Sequence, residues 1–518
     1  MLLITNDFED ILFSQDYARV VELCEQIVAT RPDVYAMDVA GDDICNYPTA
    51  VATPAAGNPA DALLAQGIDP YGLFVKILKE AGIAVAPNYR MNDHHGLPAY
   101  WTPWERGHKD WSLGKDTGAW KTYQRVGDRA WREIGDLRQM DYAIEGVRQR
   151  RLAILREVLE RYPVDGLQLD FGRSAPFLSE PKREKARYMT QFVRDVRALL
   201  DAAGKARGQR MTLGAILPWD VGFCADEGLE VKRWIDEGLL AYVAPGEWFY
   251  VDYNVPYAQW AALTKGTGCN LCPLILGEDK AFFATCVHPT TAVDEGKRLW
   301  LSDDFQSLDP PKIRALAENA YLQGADGIMF YNMYVRCYGK DYYPLLREWI
   351  DPLKIPAMTR HFFYARRLKY VPTEHYSFGL PDGYAPGEIE AFTPFTLDQA
   401  GDDLTYAFLF GSVLGTARAA FQFKLRDLGD ADAVDVCLNG QRIVPDAVLC
   451  RACQPPAAPA FRYALWQAGV GSPPLRRGEN VLNVTLKKRD VGRVGPVQVG
   501  EFELFVNPQE ARHAARYG

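Results

Sequence analysis

Apolar and polar positions over the first 350 or so residues fall into two alternating periods. Short apolar runs of strand length are followed by longer stretches with apolar residues at helical spacing. The first run, Leu2-Leu-Ile-Thr5, precedes a helical pattern over 17–30 carried by Val20, Val21, Cys24, Ile27 and Val28. Further strands are predicted at 34–39, 83–87, 166–171, 211–217, 240–244, 270–276 and 327–332. Helices are predicted between them at 59–81, 142–161, 184–202, 229–237, 257–264 and 311–323, with a last one at 343–350. Eight strands alternating with helices are the count of an α/β (β/α)8 TIM barrel, here over residues 1–370. A doubly wound open sheet shares the alternation, but no Gly-rich phosphate fingerprint follows any strand.

After about residue 370 the period changes. Short alternating segments at 405–410, 420–425, 434–438, 480–486 and 501–506 are divided by turn signals, among them Asn439-Gly440 and Arg477-Gly-Glu-Asn480. Asn-Gly between alternating runs is a strong hairpin cue. The pattern predicts a C-terminal antiparallel β-sandwich over residues 371–518.

The stretch Tyr162-Pro-Val-Asp-Gly-Leu-Gln-Leu-Asp-Phe-Gly-Arg173 reads as a buried strand with an acid and a base at its end. Alternation puts Leu167, Leu169 and Phe171 on one face, toward the helices, and Gln168 and Asp170 on the other, toward the barrel axis. A carboxylate at that depth costs several kcal/mol unless it is paired or hydrogen-bonded. The other strand ends add Asn6, Asp7, Asn88, Arg90, Asn92, Asp93, His94, Arg173, Trp219, Asp220, Glu247, Trp248, Glu278, Asp279 and Asn332 at the same mouth. Any single carboxylate there could be a helix N-cap; a whole rim of acids, amides and Trp exceeds what strand-to-helix turns need. Between the third strand and the helix at 142–161 lies an insertion carrying Trp101, Trp104, Trp111, Trp120 and Trp131. Insertions this long are usually functional or carry small elements of their own.

Composition narrows the classes. A length of 518 residues suits two or three domains, and 48% hydrophobic with 24% charged residues describes an ordinary globular chain. A net charge of −9 without any basic block argues against nucleic acid. No apolar run approaches a membrane span, and no leader pattern opens the chain, so the expectation is a cytoplasmic protein, or a secreted or periplasmic one already trimmed. Twelve Trp, 27 Tyr and 24 Phe are a surplus of the kind sugar-binding clefts use. The ten cysteines are scattered, with CxxC spacing at Cys269/Cys272 and Cys450/Cys453, and read as reduced thiols rather than a disulfide framework.

The run from Asp141 to Arg173, with its helix and Tyr-x-Val-Asp-Gly-x-x-Leu-Asp-Phe-x-Arg, resembles the glycoside-hydrolase-like family ten group of bacterial barrel proteins. Asn6-Asp7 closing the first strand, Arg90-Met-Asn-Asp-His94 after the third and Gly228-Leu-x-Val-x-x-Trp234 before the sixth match it too. The resemblance implies cleavage of O-glycosidic bonds in a poly- or oligosaccharide, with no cofactor. Such cleavage uses two carboxyls, about 5–5.5 Å apart when one is a nucleophile and about 6.5–9.5 Å apart when one activates water. In one subset of barrel hydrolases the nucleophile follows the fourth strand and the acid the sixth, which assigns Asp170 and Glu247. Trp248 beside Glu247 would desolvate its carboxyl and favour the protonated form. In another subset a seventh-strand Glu is the nucleophile, which keeps Glu278 open as the alternative. Asn6, Asp7, Asn88, Arg90, Asn92, Asp93, His94, Arg173, Trp219, Trp248 and Asn332 are then expected to hold the sugar, since amides and guanidinium offer several fixed donors. Two readings compete: a metal-dependent hydrolase using Asp93, His94 or His95 with Asp7 and Asp170, and a carbohydrate-binding barrel without turnover.

Overall fold

The computed structural model describes residues 1–6, 17–55, 61–92, 101–113, 121–126, 130–136, 139–172, 175–246, 251–276, 278–280, 305–331, 343–364, 395–412, 414, 417, 419–453, 461–490, 492 and 495–506. Eight parallel strands form its first half: β1 (Leu2–Asn6), β2 (Val34–Gly41), β3 (Ala84–Val85 continued by Asn88–Arg90), β4 (Gly166–Asp170), β5 (Thr212–Pro218), β6 (Tyr242–Gly246), β7 (Asn270–Leu271 continued by Leu274–Leu276) and β8 (Ile328–Tyr331). Each pairs with the next, β8 pairs with β1, and the two halves of β7 pair with β6 and β8 respectively, so the sheet closes on itself. The break in β7 falls at Pro273, which has no N–H to donate. Cys272 N–H donates to Val243 at 2.9 Å and Met329 N–H to the Pro273 carbonyl at 3.0 Å, holding the ring together on either side. Cys269 and Cys272 are buried free thiols on this strand, and burial pushes Cys269 up to about 12.

Helices cover the outer face. The long ones are α1 (Tyr17–Thr30), α2 (Pro70–Glu80), α3 (Glu145–Arg161), α4 (Lys182–Arg207) and α5 (Pro310–Leu322). On β4 the alternation is as predicted: Phe171 packs outward, with ring centroids 5.4 Å from Trp234 and 5.5 Å from Phe177. Two elements differ from expectation. The helix predicted over 59–81 is two, Asp61–Ala65 and α2, because Gly67 turns the chain at φ +78° and Asp69 caps the second helix, its side chain accepting from Gly72 N–H at 3.1 Å. The third strand runs past Pro87, and Asn88–Arg90 pairs with β4, so residues expected in a loop lie inside the barrel wall.

The second half is antiparallel. Its strands are β9 (Arg360–Tyr364), β10 (Phe395–Leu397), β11 (Asp403–Phe410), β12 (Ala419–Arg426), β13 (Ala433–Leu438), β14 (Gln441–Ile443), β15 (Ala447–Cys453), β16 (Phe461–Val470), β17 (Gly478–Lys488) and β18 (Val497–Val506). One sheet has the order β9-β18-β12-β16-β15, with β10 also on β18, and the other β11-β17-β13-β14. Aromatic rings fill the space between them, with Tyr406 stacked on Phe502 at 4.9 Å and Phe423 on Trp466 at 5.0 Å. Asn439 and Gly440, at φ 51° and 80°, make the tight β13–β14 turn that their sequence predicts.

The halves are joined by buried polar contacts. Arg360 of β9 meets Glu318 of α5 at 3.3 Å, and Ser412 donates to the same carboxylate at 3.0 Å. Burial lowers the Arg360 pKa and raises that of Glu318. On the opposite side of the β9 sheet, His361 Nε2 lies 2.6 Å from Glu503, which also accepts from Gln422 at 2.9 Å, and Gln467 donates to Gln422 at 2.9 Å. Burial works to raise the Glu503 pKa, but the His361 hydrogen bond and charge hold it at about 2. Among the described residues no helix is long and apolar enough to cross a membrane.

Replacing Arg360 by Leu strands a buried carboxylate, and urea denaturation is expected to show a loss of about 3 kcal/mol. Glu503 lies below its ordinary value of 4.5, so its contribution is complete above that value and is lost as pH falls through the window down to about 2. Chemical denaturation across that window is expected to lose roughly 1–3 kcal/mol more in the wild type than in Glu503→Gln.

Candidate functional site

Parity along the strands decides what faces the barrel axis. Thr5, Asp38, Asn88 and Gln168 are bonded to one another across β1, β2, β3 and β4 and so share the interior; Arg90 and Asp170 follow two residues on. Register places Gly214 and Ile216 beside Gln168 and Asp170, and Ala244 beside Ile216. The wall from β2 to β4 is therefore polar, and next to it Ile216 and Ala244 give β5 and β6 an apolar stretch beside Asp170.

A continuous hydrogen-bonded belt crosses this interior. Tyr242 of β6 donates to Gln168 Oε1 at 2.9 Å, and Gln168 Nε2 donates to Asn88 Oδ1 at 2.8 Å and Thr5 Oγ1 at 3.3 Å. Asn88 donates in turn to Asp38 Oδ1. The other oxygen of Asp38 lies 2.6 Å from Arg90 Nε, and Arg90 Nη2 donates to the Tyr331 hydroxyl at 2.8 Å. Gly214 admits the Tyr242 ring: a Cβ there would come within 2.0 Å of it. Every member is buried, and a buried ion pair is costly unless its neighbours supply such partners.

Asp170 sits directly above the belt at the end of β4, fully buried and paired in register with Arg90. Its Oδ1 accepts from Gly172 N–H at 2.9 Å, and its own carbonyl accepts from Met91 N–H at 3.0 Å. Asn92, two residues beyond Arg90, is also fully buried; its Nδ2 donates to the Pro176 carbonyl at 2.9 Å and its Oδ1 has no hydrogen-bond partner among the described residues. The strand-end candidates Asn88, Arg90, Asn92 and Asp170 thus converge on one wall. Asn6 neighbours the inward-facing Thr5, and alternation turns it toward the helices. Trp219 is buried where β5 ends, its carbonyl accepting from Trp260 Nε1 at 2.5 Å. Asp220 caps the next helix by accepting from Phe223 N–H at 2.7 Å, the structural role open to any such carboxylate.

Asp7, Asp93, His94, Arg173, Glu247, Trp248 and Asn332 lie outside the described residues, as does His95 of the competing metal reading. Glu278 is placed by its backbone alone, opposite Ser307 in a short antiparallel strand pair. No group of metal-binding side chains occurs among the described residues.

A second polar cluster anchors the Trp-rich insertion. Asp43 pairs with Arg150 at 2.6 Å, Asp42 with the fully buried Arg151 at 3.4 Å, and both guanidinium groups lie over the Trp104 ring at 5.2 and 5.5 Å. His108 sits 4.8 Å from Trp104 and 4.2 Å from Trp111. Trp104 and Trp111 therefore dock the insertion onto α3, and Trp101 is half-buried beside Lys109. Sequence reasoning missed Asp38, Tyr242, Tyr331 and this cluster. The signal for Asp38 was available, as a lone charge in the apolar run Val34-Tyr-Ala-Met-Asp-Val39.

No family model and no curated protein matches the chain. Among solved structures it is similar to the PgaB (BpsB) glycoside hydrolase domain from Bordetella bronchiseptica, with 12% identity, TM-score 0.40, and 68% of this chain covering 98% of that one. It is similar also to a family 18 N-acetylglucosaminidase from Paenibacillus barengoltzii (12%, 0.39, 68% and 98%). A third is the catalytic domain of chitinase B from Arthrobacter TAD20 (13%, 0.41, 69% and 95%). The similarity is to diverse glycoside hydrolase barrels at low identity, and no specific family is shown.

Proposed function

We propose that the chain is a glycoside hydrolase that cleaves O-glycosidic bonds of an oligo- or polysaccharide, with Asp170 as one of its two carboxyls. The observation that carries the reading is the placement of Asp170: a carboxylate wholly removed from bulk solvent, at the C-terminal end of a barrel strand, above an ordered polar floor. Barrel enzymes work at that end of the strands, and an ion in such a setting is stronger electrostatically than in water.

Glu247 is the proposed second carboxyl, acting as general acid. It follows Gly246 directly, at the end of β6, two strands from β4. Glu278 remains the alternative. Asn92 Oδ1 is a ready acceptor for a sugar hydroxyl, and the apolar wall of Ile216 and Ala244 suits the apolar face of a pyranose. Asp38, ion-paired to Arg90, fixes that guanidinium in the floor one strand from Asp170 rather than taking part in bond cleavage. The chemistry asks for no cofactor.

On a panel of aryl-glycosides and polysaccharides, purified protein is expected to turn over at least one substrate, and Asp170→Asn to lose roughly a thousandfold or more in kcat with an unchanged melting temperature. Undiminished turnover in Asp170→Asn rejects the assignment; activity abolished by a chelator favours the metal reading, and binding without turnover the lectin-like one. Arg90→Met is expected to cost about 3 kcal/mol in unfolding free energy by stranding Asp38, and Asp38→Asn combined with Arg90→Met to recover most of it.

A further inference from the structure

We infer that the C-terminal sandwich braces the return segment of strand β6, with Asn254 as the positioning residue. The inference rests on the hydrolase reading for its consequence in turnover, since Glu247 precedes Asn254 by seven residues in the sequence.

The segment from Val251 to Val255 is laid against β7 and α5, but the fit on the barrel side is imperfect. A small cavity remains there, lined by Tyr253, Val255, Leu274, Ile275, Leu316 and Ala320. Part of what grips the segment comes from the sandwich. Among the described residues β11 pairs with β17 alone, which makes it an edge strand there. Asn254 closes that edge as a strand residue would: its Oδ1 accepts from Leu409 N–H at 2.9 Å, and its Nδ2 donates to the Ala407 carbonyl at 3.2 Å and to the Tyr406 hydroxyl at 2.8 Å.

A second amide completes the clasp. Asn319 of α5 donates to the Tyr253 carbonyl and the Leu409 carbonyl, both at 3.0 Å, and accepts from Gly411 N–H at 2.7 Å. Gln323 adds a bond to the Val255 carbonyl at 3.0 Å, and Asp252 Oδ1 accepts from Asn254 N–H at 2.8 Å, fixing the local turn. Two side-chain amides thus tie Tyr253 and Asn254 to β11, where the apolar packing alone leaves a gap. A catalytic group must be held to within a fraction of an ångström, and the second domain contributes to holding the segment 251–255 that follows Glu247 in the chain.

The test uses the full-length chain and its Asn254→Ala and Tyr406→Phe variants. Hydrogen exchange of peptides covering 251–257 is expected to accelerate roughly 10- to 100-fold in Asn254→Ala, while α3 on the far side keeps its protection. Tyr406→Phe, which removes one bond of three, is expected to move the same peptides less and in the same direction. On an aryl-glycoside that the wild type cleaves, Asn254→Ala is expected to lower kcat more than tenfold with KM within about threefold, the split of a group acting on the transition state. Unchanged exchange at 251–257 overturns the brace, and so does an unchanged kcat. Should the wild type cleave nothing, the hydrolase reading falls while the exchange comparison still decides the brace. Should Asn254→Ala fail to fold, Tyr406→Phe carries the comparison.

Discussion

The ion pair between Asp38 and Arg90 governs the barrel interior. Two charges withdrawn from water are costly unless each is matched and every remaining donor and acceptor is occupied. That demand explains why Asn88, Gln168, Tyr242 and Tyr331 stand where they do: each satisfies a neighbour, and together they bridge strands from β6 round to β8. It also explains Gly214, whose missing side chain is the space that the Tyr242 ring fills. A barrel core is usually filled with branched apolar side chains. Here one wall is spent on a polar floor, and the carboxylate of Asp170 rests on it.

Much of this was legible in the chain. Alternation in 162–173 correctly turned Gln168 and Asp170 inward, because on a strand the period of two leaves no choice once Leu167, Leu169 and Phe171 are known to be buried. Asn439-Gly440 located its hairpin because only residues tolerant of positive φ fit there. The third strand was harder. Pro87 interrupts its ladder, so Asn88 to Arg90 read as loop, although pairing with β4 carries the wall past the proline. The helix over 59–81 was divided by Gly67 and Asp69-Pro70, turn chemistry that apolar spacing conceals.

The candidate site was legible in part. Asn88, Arg90, Asn92 and Asp170 are brought to one wall as the strand-end rule expects, whereas Asn6 turns away and Asp220 serves a helix. Asp38 was overlooked because a charge in mid-strand carries no motif; its meaning lies in partners 50 residues on or more. Trp104 and Trp111 of the insertion lay their faces on Arg150, Arg151 and His108, since a long insertion must first be held to the barrel before any tip can be presented. The sandwich is tied to the barrel through Arg360 and β11.

A crystal structure of the protein with a bound oligosaccharide tests the central claim most directly. The account predicts a sugar ring over the belt, its anomeric carbon within about 3.5 Å of an Asp170 carboxylate oxygen, or one water removed from it. A saccharide seated elsewhere, with the Asp170 carboxylate out of reach of any glycosidic bond, would contradict it.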